Sequence, residues 1–156
     1  MRVLFMCTAN SCRSILSEAL FNHLAPPGLQ AVSAGSFPRG QVLPRSLSAL
    51  QQAGIAIEGL SSKGNDAFAH NPPDIVITVC DKAAGETCPV YFGPALKCHW
   101  GLADPSEVVG DEQAIDAAFR ATLAHIERRC RAFLALPLDR LGRDQLGVEL
   151  EKIGRL

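Results

Sequence analysis

The sequence predicts an α/β domain with a mostly parallel sheet, and three observations carry that prediction. Apolar runs suited to buried strands alternate with segments of helical periodicity along the chain. Residues 74–79 read Asp-Ile-Val-Ile-Thr-Val, a β-branched run bounded by Pro72-Pro73. Prolines and glycines punctuate the boundaries between the two kinds of segment. At 156 residues the chain has the size of one domain, 1–156, with room for a sizeable core.

The first strand covers residues 2–6, where Val3-Leu4-Phe5-Met6 is apolar without a break, as burial on both sheet faces requires. A helix follows over 13–24, with Ile15, Leu16, Ala19, Leu20, His23 and Leu24 along one face, and Pro26-Pro27-Gly28 stops it. Residues 30–34 form a short second strand ending at Gly35. A second helix over 43–53 places Leu47, Leu50 and Gln51 at helical spacing, with Gly54 as its C-terminal stop. After the third strand, 74–79, a fourth and shorter one is expected over 96–100. A long helix over 111–136 carries the stripe Ile115, Phe119, Leu123, Ile126, Cys130 and Phe133. Asp111 and Glu112 at its start, and Arg128, Arg129 and Arg131 toward its end, suit the helix dipole, and Pro137 ends it. Residues 144–153 read either as a final amphipathic helix or as a frayed tail.

Composition narrows the function. Hydrophobic residues make up 47% and charged residues 20%, ordinary for a globular protein. A net charge of −1 without a Lys/Arg cluster argues against nucleic acid as a partner. No apolar run approaches the roughly 18 residues of a membrane span, and the N-terminus lacks the pattern of a signal peptide. A cytoplasmic monomer is expected. Of the six cysteines, none forms a Cys-x-x-Cys pair. In a reducing compartment cysteines serve catalysis or redox chemistry more often than structural disulfides. Neither a metal nor a cofactor is expected: Cys98 and His99 read as packing, and Cys130 as core.

Three constellations carry chemistry. The first is Cys7-Thr8-Ala9-Asn10-Ser11-Cys12-Arg13-Ser14, directly after the first strand and opening the first helix. Successive loop N–H groups and a helix N-terminus suit the capture of a tetrahedral oxyanion. Such a positive field favours the nucleophilic thiolate of a cysteine, and Arg13 adds a planar fork for two anion oxygens. The candidate oxyanion-binding residues are Thr8, Ala9, Asn10, Ser11, Cys12 and Arg13, with Cys7 as nucleophile. The second is Cys80, at the end of the strongest strand, with Cys88 beyond the small, polar stretch Asp81-Lys82-Ala83-Ala84-Gly85-Glu86-Thr87. Strand C-termini gather at one sheet edge, so Cys7 and Cys80 are expected at the same edge. The third is Asp104-Pro105, in a loop at that edge, where a carboxylic acid can protonate a leaving oxygen.

With Ser33-Ala34-Gly35, Cys88-Pro89 and His99-Trp100-Gly101, these motifs resemble, over essentially the whole chain, the thioredoxin-coupled arsenate reductases built on the low-molecular-weight tyrosine phosphatase fold. The resemblance implies a four-stranded parallel sheet flanked by helices on both faces. It also implies a cysteine relay for arsenic detoxification. Cys7 would attack arsenate held by Arg13 and the loop, Ser14 would hydrogen-bond the Cys7 thiolate, and Asp104 would be the general acid. Cys80 would attack Cys7 and release arsenite. Cys88 would then attack Cys80, leaving a Cys80–Cys88 disulfide for thioredoxin, with glutathione/glutaredoxin as the other candidate reductant. Phosphate and sulfate would mimic the substrate.

The chain departs from the family pattern at Ala9, where glycine is usual, and in a Cys80–Cys88 spacing one residue longer than in the best-known members. Some relatives bind potassium near the loop. Here Asn10, Glu18 and Ser33 match that site, but Lys63 stands at its acidic position, so no potassium activation is expected. Two other readings stay open: a phosphotyrosine phosphatase using Cys7, Arg13 and Asp104, and a non-catalytic arsenite-binding protein using the three cysteines.

Overall fold

The computed structural model describes residues 1–91 and 93–156. Its four parallel strands are β1 (Arg2–Cys7), β2 (Gln30–Gly35), β3 (Ile75–Thr78) and β4 (Leu96–His99), in the order β2-β1-β3-β4. β1 pairs with β2 from Arg2↔Gln30 to Cys7↔Gly35, and with β3 from Val3↔Ile75 to Met6↔Thr78. Alternate residues of the inner strands enter different cores. Val3, Phe5, Cys7, Ile75 and Ile77 join the larger cluster, and Leu4, Met6 and Val76 the smaller. Burial on both faces explains why these runs show no polar alternation.

Helices α1 (Arg13–Leu24), α2 (Pro44–Gln52), α3 (Glu112–Leu134) and α4 (Arg143–Gly154) complete the architecture. α1 packs on β1 and β2, α3 packs on α1, and α4 packs on β4. On the opposite face a 3₁₀ helix, Asn65–Phe68, brings Phe68 against the smaller cluster, so helical segments cover both faces.

α1 begins and ends where the sequence places it, but its buried arc is wider than one stripe. It lies between the sheet and α3, so Phe21 is fully buried, with ring centroids 6.0 Å from Phe5 and 5.4 Å from Phe133. His23, expected on the buried face, is exposed in the last turn, where a basic ring suits the helix C-terminus. In α2, Leu50 is buried whereas Gln51 is exposed. The α3 stripe is buried from Phe119 to Phe133, and Asp111 caps the helix by accepting from Ala114 N–H at 2.8 Å. Arg129, one of the basic residues toward the end of this helix, is 4% exposed. Its guanidinium donates to the carbonyls of Gly101 and Gly154, each at 3.0 Å, and burial pushes its pKa down to about 10. The chain end forms a helix, not a frayed tail. Leu146, Leu150 and Ile153 are buried, and the Trp100 indole N–H donates to the Leu150 carbonyl at 3.0 Å.

Candidate active site

Residues 8–12 form the loop between β1 and α1, and it is held open by its carbonyls. The carbonyl of Cys7 accepts from Ser36 N–H, that of Thr8 from Phe37 N–H, that of Ala9 from Arg39 N–H and the Ser62 hydroxyl, and that of Ser11 from Leu43 N–H and the Ser46 hydroxyl. A peptide whose C=O is fixed outward turns its N–H the other way, so these bonds aim loop N–H groups at the centre. Gly35 makes the arrangement possible: a Cβ there would collide with the Thr8 carbonyl and stand 2.9 Å from Asn10 N. The carbonyl anchors at 36–46 and 62 have no sequence signature, because backbone donors look alike in any loop.

Asn10 has φ 48°, the only left-handed non-glycine backbone among the described residues. Asparagine tolerates that region better than most side chains. Ala9 lies outside it, so the loop carries alanine there without left-handed strain. The turn at Asn10 brings its N–H to 3.3 Å from Cys7 Sγ. Its amide donates to Ser14 Oγ at 2.8 Å and Ser33 Oγ at 2.9 Å, and Ser14 Oγ lies 3.0 Å from Cys7 Sγ. No side chain caps the first turn of α1, so its N–H groups face the loop without a protein carboxylate of their own.

Beneath the loop, Ser33 donates to Glu18 at 2.6 Å, and Lys63 Nζ stands 3.7 Å from the same carboxylate oxygen. Burial raises the Glu18 pKa and lowers that of Lys63, and their pairing opposes both shifts. The ammonium thus supplies a positive charge beside Glu18 and Ser33.

A cavity of about 480 Å³ opens over the loop, with Cys7, Cys12, Arg13, Glu86 and Asp104 in its wall. A larger cavity, about 700 Å³, lies between α2 and α3 and contains no nucleophilic cysteine. Arg13 is 7% exposed and its fork is occupied: NH1 and NH2 donate to the two Glu86 carboxylate oxygens at 2.7 and 2.8 Å. Arg13 NH1 also donates to the Leu102 carbonyl at 3.1 Å. The guanidinium holds the Glu86 carboxyl below its ordinary value against the effect of burial, helped by a bond from Asp81 N–H. An oxyanion entering the loop must therefore displace Glu86 from the arginine it needs. Asp104 stands at the mouth, with one oxygen 3.6 Å from Arg13 NH2 and the other accepting from Ser106 N–H and the Ser106 hydroxyl.

Cys80 and Cys88 are joined by a disulfide, with a Cα–Cα distance of 5.6 Å. Between them a 3₁₀ turn, Lys82–Ala84, is capped by the Asp81 side chain and leaves through Gly85 at φ 86°. Cys80 is fully buried and Cys88 half-buried, and neither lines the anion cavity. Cys80 and Cys7 meet the same sheet edge, but the disulfide lies against His99. The remaining thiols are inert by burial, which pushes the pKa values of Cys12, Cys98 and Cys130 up to about 12 each. Sequence reasoning missed Glu86 as part of this region and read His99 as packing, whereas its ring lies against Cys88. Glu86 is one of two acids between the redox cysteines, the only signal that could have pointed to it.

The fold has relatives among known proteins. The family model for low molecular weight phosphotyrosine protein phosphatases matches residues 2–146. An arsenate reductase from Halalkalibacterium halodurans is 31% identical over 131 residues, which are 84% of this chain and 93% of that protein. The solved structure of an arsenate reductase from Archaeoglobus fulgidus aligns with a TM-score of 0.71 at 28% identity, covering 86% of this chain and 99% of that one. A thioredoxin-dependent arsenate reductase from Corynebacterium glutamicum aligns with a TM-score of 0.57 at 28% identity, covering 83% of this chain and 61% of that one.

Proposed function

The chain belongs to the low molecular weight phosphotyrosine protein phosphatase family, and on that premise we propose that a cysteine relay turns the family's oxyanion loop to the reduction of arsenate. The enzyme is an arsenate reductase that draws its electrons from a reductant partner. The observation that carries this reading is the Cys80–Cys88 disulfide, which flanks a segment whose Asp81 and Glu86 line the cavity over the loop beside Cys7 and Asp104. Hydrolysis of a phosphoester needs no such pair.

In the relay, loop N–H groups and Arg13 hold arsenate, and the Cys7 thiolate, hydrogen-bonded by Ser14, attacks arsenic. Asp104 gives a proton to the departing hydroxyl. The Cys80 thiolate then attacks Cys7 Sγ. The Cys7–arsenic bond breaks, its electron pair stays on arsenic, and arsenite leaves as the Cys7–Cys80 disulfide forms. Cys88 attacks Cys80, frees Cys7, and leaves the pair in the state seen here. Half-buried Cys88 is the sulfur that a protein thiol reaches first. Thioredoxin in the cytoplasm, acting on a monomer, completes the proposal, and arsenic detoxification is the role.

The test is arsenate-dependent NADPH oxidation with thioredoxin and thioredoxin reductase, run beside a glutathione/glutaredoxin arm. Wild type turns over, whereas Cys80→Ser and Cys88→Ser do not, yet both keep a slow hydrolysis of p-nitrophenyl phosphate through Cys7, Arg13 and Asp104. Turnover of phosphoesters without arsenate reduction would make the protein a phosphatase. Binding of arsenite without either activity would make it a metalloid-binding protein.

A further inference from the structure

We propose that His99 is the acid–base residue of the Cys80–Cys88 pair, taking the proton from the Cys88 thiol as that sulfur attacks Cys80; the inference rests on the relay reading above. His99 Nδ1 lies 3.8 Å from Cys88 Sγ and 2.8 Å from Thr78 Oγ1. The two cysteine sulfurs and a ring nitrogen of His99 all lie within 4.8 Å of one another. This is the geometry just after the Cys80–Cys88 bond has formed, so the ring stands beside the attacking sulfur at the moment a proton must leave it. The ring has room at its other edge because residue 101 is glycine. A Cβ on Gly101 would stand 2.9 Å from Nε2 and 3.3 Å from the Cys80 carbonyl, so glycine lets the ring lie there. In the neutral ring Nδ1 accepts from the Thr78 hydroxyl at 2.8 Å, and when that hydroxyl turns to the Cys98 carbonyl at 3.4 Å the Nδ1 lone pair is freed to take the Cys88 proton.

The proton balance supports the assignment. A free thiol has a pKa near about 8.5, so at neutral pH an attacking Cys88 needs a base. The charged groups facing the ring are Lys82, Arg129 and Asp81. Burial first, then Lys82 and Arg129, lower the imidazole pKa against the opposing effects of Thr78 and Asp81, so the ring is a neutral base at pH 7. In the step, Nδ1 takes the Cys88 proton, the Cys88–Cys80 bond forms and the Cys80–Cys7 bond breaks. The electron pair leaves on Cys7, where the Ser14 hydroxyl at 3.0 Å and Asn10 N–H at 3.3 Å receive it. The oxidising equivalent is the one arsenate delivered, and the imidazolium returns its proton to solvent.

The test uses His99→Asn, whose amide can hydrogen-bond Thr78 but cannot carry a proton. Prereduced enzyme is mixed with arsenate without a reductant, quenched by alkylation, and its disulfides are mapped by mass spectrometry over time. Wild type passes quickly from Cys7–Cys80 to Cys80–Cys88. H99N releases its arsenite but accumulates Cys7–Cys80, with the Cys88 step slowed about a hundredfold at pH 7. The slowing shrinks as the pH rises past the thiol's own pKa, because Cys88 then ionises without help. A purely structural role would slow the step equally at all pH. Equal slowing, or a wild-type rate at pH 7, overturns the proposal. Wild type offers a second check should H99N fold poorly: its Cys88 step must level off above the imidazole pKa. A rate that climbs steadily with thiolate through pH 5–8 contradicts the assignment. Absence of arsenite from wild type itself would instead defeat the arsenate reading.

Discussion

The anion loop and the segment between the two redox cysteines meet at Arg13, yet they are held in opposite ways. Four loop carbonyls, from Cys7 to Ser11, are tied to donors on neighbouring segments, and the nucleophile shares a closed network with Asn10, Ser14 and Ser33. The 81–87 segment is mostly exposed, is braced internally by the Asp81 cap, and is held at its flanks by the disulfide and to the loop by the Glu86–Arg13 pair. The difference matches two tasks. Oxyanion capture rewards donors fixed before the substrate arrives. A relay rewards a segment whose attachments can be broken one at a time.

The largest effect expected from the loop side is that of Arg13→Ala. It removes the only guanidinium in the cavity wall among the described residues and lowers kcat for arsenate by about 10²–10³. Arg13→Lys recovers little, because a point charge lacks the planar fork. Steady-state kinetics with both variants would check this, and near-normal turnover by the alanine variant would mean that loop N–H groups suffice.

Gly35→Ala breaks the rigidity of the loop without touching its chemistry. The added Cβ meets backbone at Thr8 and Asn10, which cannot swing aside. A loss of about 1–3 kcal/mol in denaturant unfolding is expected, with weaker protection by phosphate. An unchanged midpoint would show that the loop yields more readily than its hydrogen bonds imply.

Glu86→Gln tests the other region. Removing the charge that competes for Arg13 lowers the arsenate KM by about twofold to fivefold, the range of a partly exposed ion pair. The sign of the pH dependence follows from the depressed Glu86 pKa. Glu86 is ionised and competes above its ordinary carboxylate range, and the competition fades as pH falls through its lowered value. The gap between variant and wild type therefore closes in acid. A higher KM for E86Q would mean that Glu86 assists binding.

The smallest effect expected is that of potassium. With Lys63 Nζ 3.7 Å from Glu18, KCl changes activity and Tm no more than NaCl at equal ionic strength. A rise specific to potassium in both would show that the ammonium does not fill the cation's role.

Much of the frame was legible in sequence because it follows local rules. The unbroken apolar run before Cys7 is an inner parallel strand, and α1 covers 13–24 because Pro26-Pro27-Gly28 leaves it nowhere to continue. The alternation of strands and helices marked the sheet edge where Cys7, Cys80 and Asp104 gather. What was not legible depends on distant pairings. The guanidinium of Arg13 meets a carboxylate 73 residues away, His99 meets Cys88 across the sheet edge, and Arg129 turns inward to two carbonyls from other elements. No periodicity announces such contacts. His23 misled because the helical stripe was extended into the last turn of α1, where burial ends at Phe21 and the helix end meets solvent.

The most direct measurement follows prereduced Cys88→Ser after addition of arsenate with no reductant present. The relay predicts one equivalent of arsenite per protein and a Cys7–Cys80 disulfide, trapped because the next thiol is missing. Arsenite absent, or Cys7 still free after the reaction, would contradict it.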